Sequence, residues 1–242
     1  MSPIPSAFLR HWVRWATATV LLTLCGNLAL AETVDINRFE RTIIHTGLIQ
    51  PMELDIAADG RIFVIELGGT LKRIDPNSGQ ATVVGQLEVT TAQENGLIGL
   101  ALDPNFLQNG WIYLQYSPPD FPGQYVSRFD FRHDQLDLTS EKRLFSYKEQ
   151  RQECCHHAGA LEFGPDGNLY IGTGDNTNPF NDSEGYAPID EREGRVPWDA
   201  QRTAGNTKSY NGKILRIHPE PDGSYSIPAG NLFPADGTIG HP

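Results

Sequence analysis

One short run in this 242-residue sequence gathers side chains able to do chemistry: Cys154-Cys155-His156-His157. An imidazole titrates near pH 6.5 when unperturbed, so it can take up a proton at neutral pH. Neighbouring side chains on extended backbone point to opposite faces, so one histidine facing a cavity leaves the other a supporting place. A lone histidine in a strand-rich protein is more often structural than catalytic. The two cysteines have Cα atoms at most about 3.8 Å apart, below the usual disulfide range. They form either a strained eight-membered ring or two reduced, buried thiols. A second candidate pair, Glu94-Asn95, offers a carboxylate and a carboxamide. Further on, Asp175, Asn176, Asn178, Asn181, Asp182 and Glu184 hint at a calcium loop. Their order lacks the alternate ligands and sixth-position glycine of an EF-hand, and turn formation accounts for them. Tyr186, Asp190, Arg192 and Arg195 follow in the same loop, and nothing in the sequence singles one out.

The elements that must hold these groups repeat along the chain. A glycine turn followed by an aromatic-containing strand occurs at Asp59-Gly60-Arg61-Ile62-Phe63-Val64, at Asn109-Gly110-Trp111-Ile112-Tyr113-Leu114 and at Asp166-Gly167-Asn168-Leu169-Tyr170-Ile171. Glycine supplies a positive φ at the turn, and the aromatic and branched residues suit a buried strand. The copies are 50 and 57 residues apart, the period of a propeller blade. A second phrase, Gly69 to Ile74, recurs as Gly212 to Ile217 and marks a later strand of the blade. Each turn phrase follows another strand, at 52–57, 96–102 and 159–163, which is expected to be innermost and to line a central channel. Glu94 and Asn95 in the second blade, and Cys155, His156 and His157 in the third, then share one channel mouth. The interval from Asp175 to Asn211 reads as a long functional loop. No helix is expected in the mature chain. The fold class is therefore all-β, a β-propeller with about three blades. Closed propellers use about four to eight, so the expectation is a truncated product.

Bulk properties set the compartment. The net charge is −11, with no clustered basic surface, which argues against nucleic acid as the partner. Arg10 and Arg14 precede an apolar stretch from Ala16 to Ala31 ending in Ala29-Leu30-Ala31. This is the layout of a secretory signal peptide, so 1–31 is expected to be a leader and 32–242 the propeller part. The stretch is interrupted by Gly26 and Asn27 and is short for a membrane span, so membrane contact would come only through an uncleaved leader. Leu24 argues against lipidation at Cys25, and there is no twin arginine, so general secretion to the periplasm or beyond is expected. Cleavage removes two arginines and takes the charge from −11 to −13. It also removes Cys25, leaving Cys154 and Cys155 in an oxidising compartment.

Several phrases, in order and spacing, resemble the glucose/sorbosone dehydrogenase family. They are Glu94 to Pro104 (ENGLIGLALDP), His156 to Gly167 (HHAGALEFGPDG), Gly174-Asp175, and Gly212 to Ile217 (GKILRI). The resemblance implies the six-bladed quinoprotein glucose dehydrogenase type of propeller, of which this chain carries about half. It implies pyrroloquinoline quinone (PQQ) as cofactor and calcium to polarise the quinone. It also implies His156 as the general base that takes the hydroxyl proton of a sugar or other alcohol while hydride passes to the quinone. Glu94, Asn95, Cys154, Cys155 and His157 are the residues expected near the cofactor, and the metal ligands are unknown. An external electron acceptor completes the reaction. Three departures stand out. Glu94 takes the place of a glutamine found in the glucose enzymes, and Ala158 that of a frequent second glycine. The Arg-Asn pair, lysine and further arginines of the later blades, with most calcium ligands, are not in this sequence. Two other readings compete. One is a non-catalytic extracellular propeller binding carbohydrate or protein, as in the hedgehog-interacting relatives of this fold. The other is a metal-dependent lactonase, for which only Glu94 and Asn95 are well placed.

Overall fold

The computed structural model describes residue 38 and residues 40–180 and 183–232. The proposed leader and its cleavage site lie outside the described residues. Residues of the unit Met1–Thr42 that are described contribute no strand, and every strand belongs to the compact unit Ile43–Pro242. Among the described residues, no helix is long and apolar enough to cross a membrane.

The strands form three four-stranded antiparallel sheets, laid down in chain order. The first contains β1 (Pro51–Ile56), β2 (Ile62–Glu66), β3 (Thr70–Ile74) and β4 (Ala81–Gln86). The second contains β5 (Leu97–Leu102), β6 (Trp111–Tyr116), β7 (Gly123–Arg132) and β8 (Gln135–Lys148). The third contains β9 (Leu161–Phe163), β10 (Leu169–Gly172), β11 (Ile214–Pro219) and β12 (Tyr225–Ser226). The repeated glycine turns join the first and second strands of each sheet, and Gly60, Gly110 and Gly167 all have positive φ. The recurring later phrase supplies the third strand, β3 in one blade and β11 in the other. One expectation needs correction: among the described residues a helical turn, α1 (Phe106–Asn109), precedes β6, and 3-10 turns occupy 196–198 and 200–202. The helical turn buries Phe106 beneath the repeated turn, a local packing role that apolar periodicity cannot reveal in four residues.

The blades stack face to face, which explains their apolar composition. β6 is buried along nearly its whole length. Ile112, Leu114 and Tyr116 pack with Phe63, Ile65 and Leu71 of the first blade. Tyr113, from the other face of the same strand, packs with Leu161, Leu169 and Ile171 of the third. A strand buried on both faces reads as a continuous apolar run rather than an alternating one. Phe63 meets Phe106 and Phe131 edge-on, each with ring centroids 5.2 Å apart. Burial of a side chain of this size stabilises by roughly 1.5–3 kcal/mol.

The inner strands β1, β5 and β9 lie side by side. Two carboxylates of β1 clasp its neighbour: Leu100 donates its backbone N–H to Glu53 at 2.6 Å, and Leu102 donates to Asp55 at 2.8 Å. The opposite face of β1 leaves Met52, Leu54 and Ile56 exposed.

Candidate functional site

Two equivalent links carry the candidate residues. One runs from β4 to β5 and holds Glu94 and Asn95; the other runs from β8 to β9 and holds residues 149–160. Each connects the outer strand of one blade to the inner strand of the next, so both arrive at the same end of the inner strands. A cavity of about 560 Å³ opens there, lined by Glu53, Gln93, Glu94, Ile98 and the 158–160 segment among others.

The β9–β10 hairpin builds the centre of the site. Its ladder pairs Phe163 with Leu169 and Leu161 with Ile171. Prolonging that register past the strand ends sets residues 156–157 beside 174–176. Gly174 donates its N–H to the His157 carbonyl at 3.1 Å, and Asn176 donates to the His156 carbonyl at 3.0 Å. The approach is close: a Cβ on Gly174 would overlap the His156 carbonyl oxygen. The outcome is a side-chain pair, with His156 Nδ1 2.9 Å from Asp175 Oδ1. The imidazole is 46% exposed and the carboxylate 24%. A carboxylate on Nδ1 holds the proton there and leaves Nε2 as the acceptor. His156 has φ 57°, a left-handed conformation uncommon outside glycine, which turns the imidazole away from the strand path. The imidazole stands beside the cavity rather than in its lining.

The other expected residues divide sharply. Glu94 is exposed on the cavity wall, and its Oε2 accepts the His157 N–H at 3.2 Å. Asn95 is buried and donates its side-chain N–H to the Ala92 carbonyl at 2.7 Å, so it shapes the link rather than the cavity. His157 is fully buried, with Nδ1 2.9 Å from Glu149 Oε2, and is thereby kept off the cavity surface. Cys154 and Cys155 are joined as a disulfide, with Cys155 buried. The two sulfurs and a Glu94 oxygen lie within 4.8 Å of one another. Thiolates bind metal and disulfide sulfurs do not, so this trio offers a cation one carboxylate. In the long loop, the buried Asp190 is gripped by Arg192 at 2.8 Å and Arg195 at 3.1 Å, which holds its carboxyl far below the usual range. Arg192 stacks on Tyr186 and Arg195 on Trp198, so this foursome organises the loop itself.

Sequence reasoning undervalued three residues. Asp175, read as a turn former, partners His156. Glu149 carried no local signal. Gln93 lines the cavity with φ 61° and stands in the second blade where His156 stands in the third, three residues before a glycine with φ 157°.

Residues 48–239 match the family model Glucose / Sorbosone dehydrogenase. The chain belongs to the glucose/sorbosone dehydrogenase family. It is 25% identical over 219 residues to quinoprotein glucose dehydrogenase B of Acinetobacter calcoaceticus, covering 84% of this chain and 44% of that protein. It is 27% identical over 211 residues to mouse hedgehog-interacting protein, covering 78% of this chain and 27% of that one. Among solved structures it resembles the PQQ-bound aldose sugar dehydrogenase of Streptomyces coelicolor, with a TM-score of 0.62 and 25% identity over 80% of this chain and 51% of that one. The soluble aldose sugar dehydrogenase of Escherichia coli shares the fold at a TM-score of 0.60 and 21% identity, covering 82% of this chain and 51% of that one. This family member thus spans about half the length of the relatives it matches, or less. The three sheets are blades of the family's propeller.

PQQ is a planar tricarboxylate, and calcium takes about six to eight oxygen ligands. The ionisable side chains of the cavity lining are Glu53 and Glu94, both acids, and no lysine or arginine lines it among the described residues. Arg151 is turned inward to the carbonyls of Pro118 and Gly123, and Arg202 to those of Val196 and Asn176. The residues present do not fit the quinone's carboxylates, nor do they supply a calcium shell. They do fit a proton acceptor beside a polar cavity.

Proposed function

We propose that this protein is an exported oxidoreductase of the sugar dehydrogenase type, and that His156 is its proton acceptor. The observation that carries the reading is the His156–Asp175 pair at 2.9 Å, placed at a cavity mouth in a family of sugar dehydrogenases. Oxidation of an alcohol to a carbonyl removes a hydroxyl proton and a hydride from carbon. Asp175 fixes the imidazole through Nδ1, which leaves Nε2 as the ring nitrogen to take the proton. Glu94 and Gln93 offer hydrogen-bond acceptors and a donor to the hydroxyls of a sugar seated in the cavity. The hydride acceptor expected from the family is PQQ; the groups that would hold its carboxylates are not supplied by these blades. The leader, residues 1–31, delivers the protein to the periplasm or beyond, and 32–242 is the propeller part.

The similarity to hedgehog-interacting protein supports a second reading, a propeller that binds carbohydrate or protein without chemistry. Fold alone does not decide between them. Dye reduction by the complete gene product, supplied with PQQ, calcium and a panel of aldoses, separates the two. His156→Ala is expected to lower the rate about 10²- to 10⁴-fold. Full activity in that variant removes His156 from the mechanism, and sugar binding without any turnover in the parent favours the second reading.

A further inference from the structure

Directly behind His156 lies a pair of ionisable side chains that the proposed reaction does not use. His157 and Glu149 each have no exposed side-chain surface, and they meet at 2.9 Å. A buried carboxylate is costly unless it is hydrogen-bonded on several sides. For Glu149 both bonds converge on Oε2, which receives Gln124 Nε2 at 2.9 Å as well as meeting the His157 ring, while Oε1 is buried without a hydrogen-bond partner; Gln124 in turn donates to Ser117. This network extends from the second blade, at the end of β8, and meets a residue of the third.

Every polar group that anchors His157 leads to a different part of the site. Its N–H donates to Glu94 on the cavity wall. Its carbonyl accepts from Gly174, the residue before Asp175. Its imidazole is held by Glu149 through Nδ1 alone, and Nε2 has no hydrogen-bond partner. His157 is thus tied at three points, with the proton acceptor on one side of it in sequence and the acceptor's carboxylate partner one residue past its hydrogen-bond mate. Rotation of His157 would shift both ends of the 2.9 Å contact between His156 and Asp175.

We propose that His157, locked by Glu149, is the positioning residue that keeps His156 and Asp175 in register. The inference rests on the reading of that pair as the proton-accepting centre, and it makes its own demands. Asparagine places its amide nitrogen where histidine has Nδ1, whereas glutamine mimics Nε2. His157→Asn therefore preserves the bond to Glu149, and His157→Gln does not.

The test uses the full-length protein and diethyl pyrocarbonate, with modification of the exposed His156 followed by peptide mass spectrometry across pH 5 to 8, roughly the range in which imidazole titrates. Asp175→Asn supplies the profile of an unpaired imidazole. Glu149→Gln and His157→Gln are expected to follow the Asp175→Asn profile, and His157→Asn to stay with the parent. In dye reduction, the first two should lower kcat about 10- to 100-fold with KM within about threefold, because a displacement near 1 Å costs that much. Melting temperatures accompany each variant. If Glu149→Gln and His157→Gln lower the melting temperature yet keep the parent profile at His156, the pair is packing only and the proposal is overturned. Identical profiles in all variants, Asp175→Asn included, also overturn it. Should His156→Ala keep full dye reduction while the profiles divide as expected, the functional reading fails and the positioning inference stands.

Discussion

Glu53 gives the fold a pH dependence that can be calculated and measured. It sits on β1, half-buried, and accepts backbone N–H groups from Leu100 of the second blade and Leu161 of the third. Burial raises its pKa from an ordinary 4.5 to about 7, those two hydrogen bonds pull it back down, and Glu162 and Asp55 push it up. The folded state therefore holds this proton more tightly than the unfolded chain does. The resulting stability is fully present below about pH 4.5 and is lost as pH rises through about 7. The full interval corresponds to about 3.4 kcal/mol. Glu53 is only partly buried and lines an open cavity, so screening by solvent reduces the usable figure to about 1–2 kcal/mol. Urea denaturation of the parent and of Glu53→Gln at pH 4.5, 6 and 8 isolates it, because the other carboxylates cancel in the difference. Asp59, Asp75 and Asp166, held below their ordinary values by hydrogen bonds, act in a lower pH window. The stability of the parent relative to the variant should fall by about 1–2 kcal/mol between pH 4.5 and 8. A difference that stays constant across that range refutes the reasoning.

Other outcomes are equally definite. Gly174→Ala should destabilise by about 1–3 kcal/mol in urea denaturation, since its Cβ has no room against the His156 carbonyl. An unchanged midpoint would show that the 156–157 and 174–176 segments are not held together. With the proposed leader removed, Cys154 and Cys155 are the remaining cysteines, and export to an oxidising compartment would leave the denatured, non-reduced monomer with no free thiol; two free thiols per chain would exclude the ring. Mass spectrometry of the exported protein should find Glu32 at the N-terminus, and a mature protein beginning near Met1 would defeat the leader assignment.

The blades were legible because their signal is redundant. Phe63, Tyr113 and Tyr170 stand at the same place after the same glycine turn, and two sheets share a third-strand phrase in Thr70–Ile74 and Ile214–Pro219. The site was legible only where it is local. His156 carries its own chemistry, but Asp175 lies 19 residues away among turn-forming Asn and Asp, and composition gives no reason to choose it. The hairpin register does. Continuing the pairing of Leu161 with Ile171 by five residues sets His156 opposite Asn176, one residue from Asp175, so this contact was available from the hairpin register carried past the strand ends. Glu149 and Glu53 are different in kind. They act across blade interfaces, His157 with Glu149 and Leu100 with Glu53, and inter-blade register leaves no periodic trace in a single chain. The adjacent pair His156-His157 was expected to divide between cavity and support, and the structure divides it more completely, one side chain 46% exposed and the other not exposed at all.

A single backbone device links these observations. Gln93 and His156 each stand three residues before a glycine with φ 157°, Gly96 and Gly159, ahead of the inner strands β5 and β9, and their own φ values are 61° and 57°. Left-handed backbone at a non-glycine residue costs about 1–3 kcal/mol and persists where surrounding structure imposes it. Two occurrences at the same place in successive blades make it a feature that the second and third blades share, with Gln93 on the cavity wall and His156 beside it. The second blade fills the position with a carboxamide and the third with an imidazole. Only the third is backed by an acceptor, Asp175, on the ring nitrogen, and by an interior anchor, Glu149, on the next residue. The scaffold is therefore repeated while the proton chemistry is not, and the departure from the repeat marks where the reaction is proposed to occur.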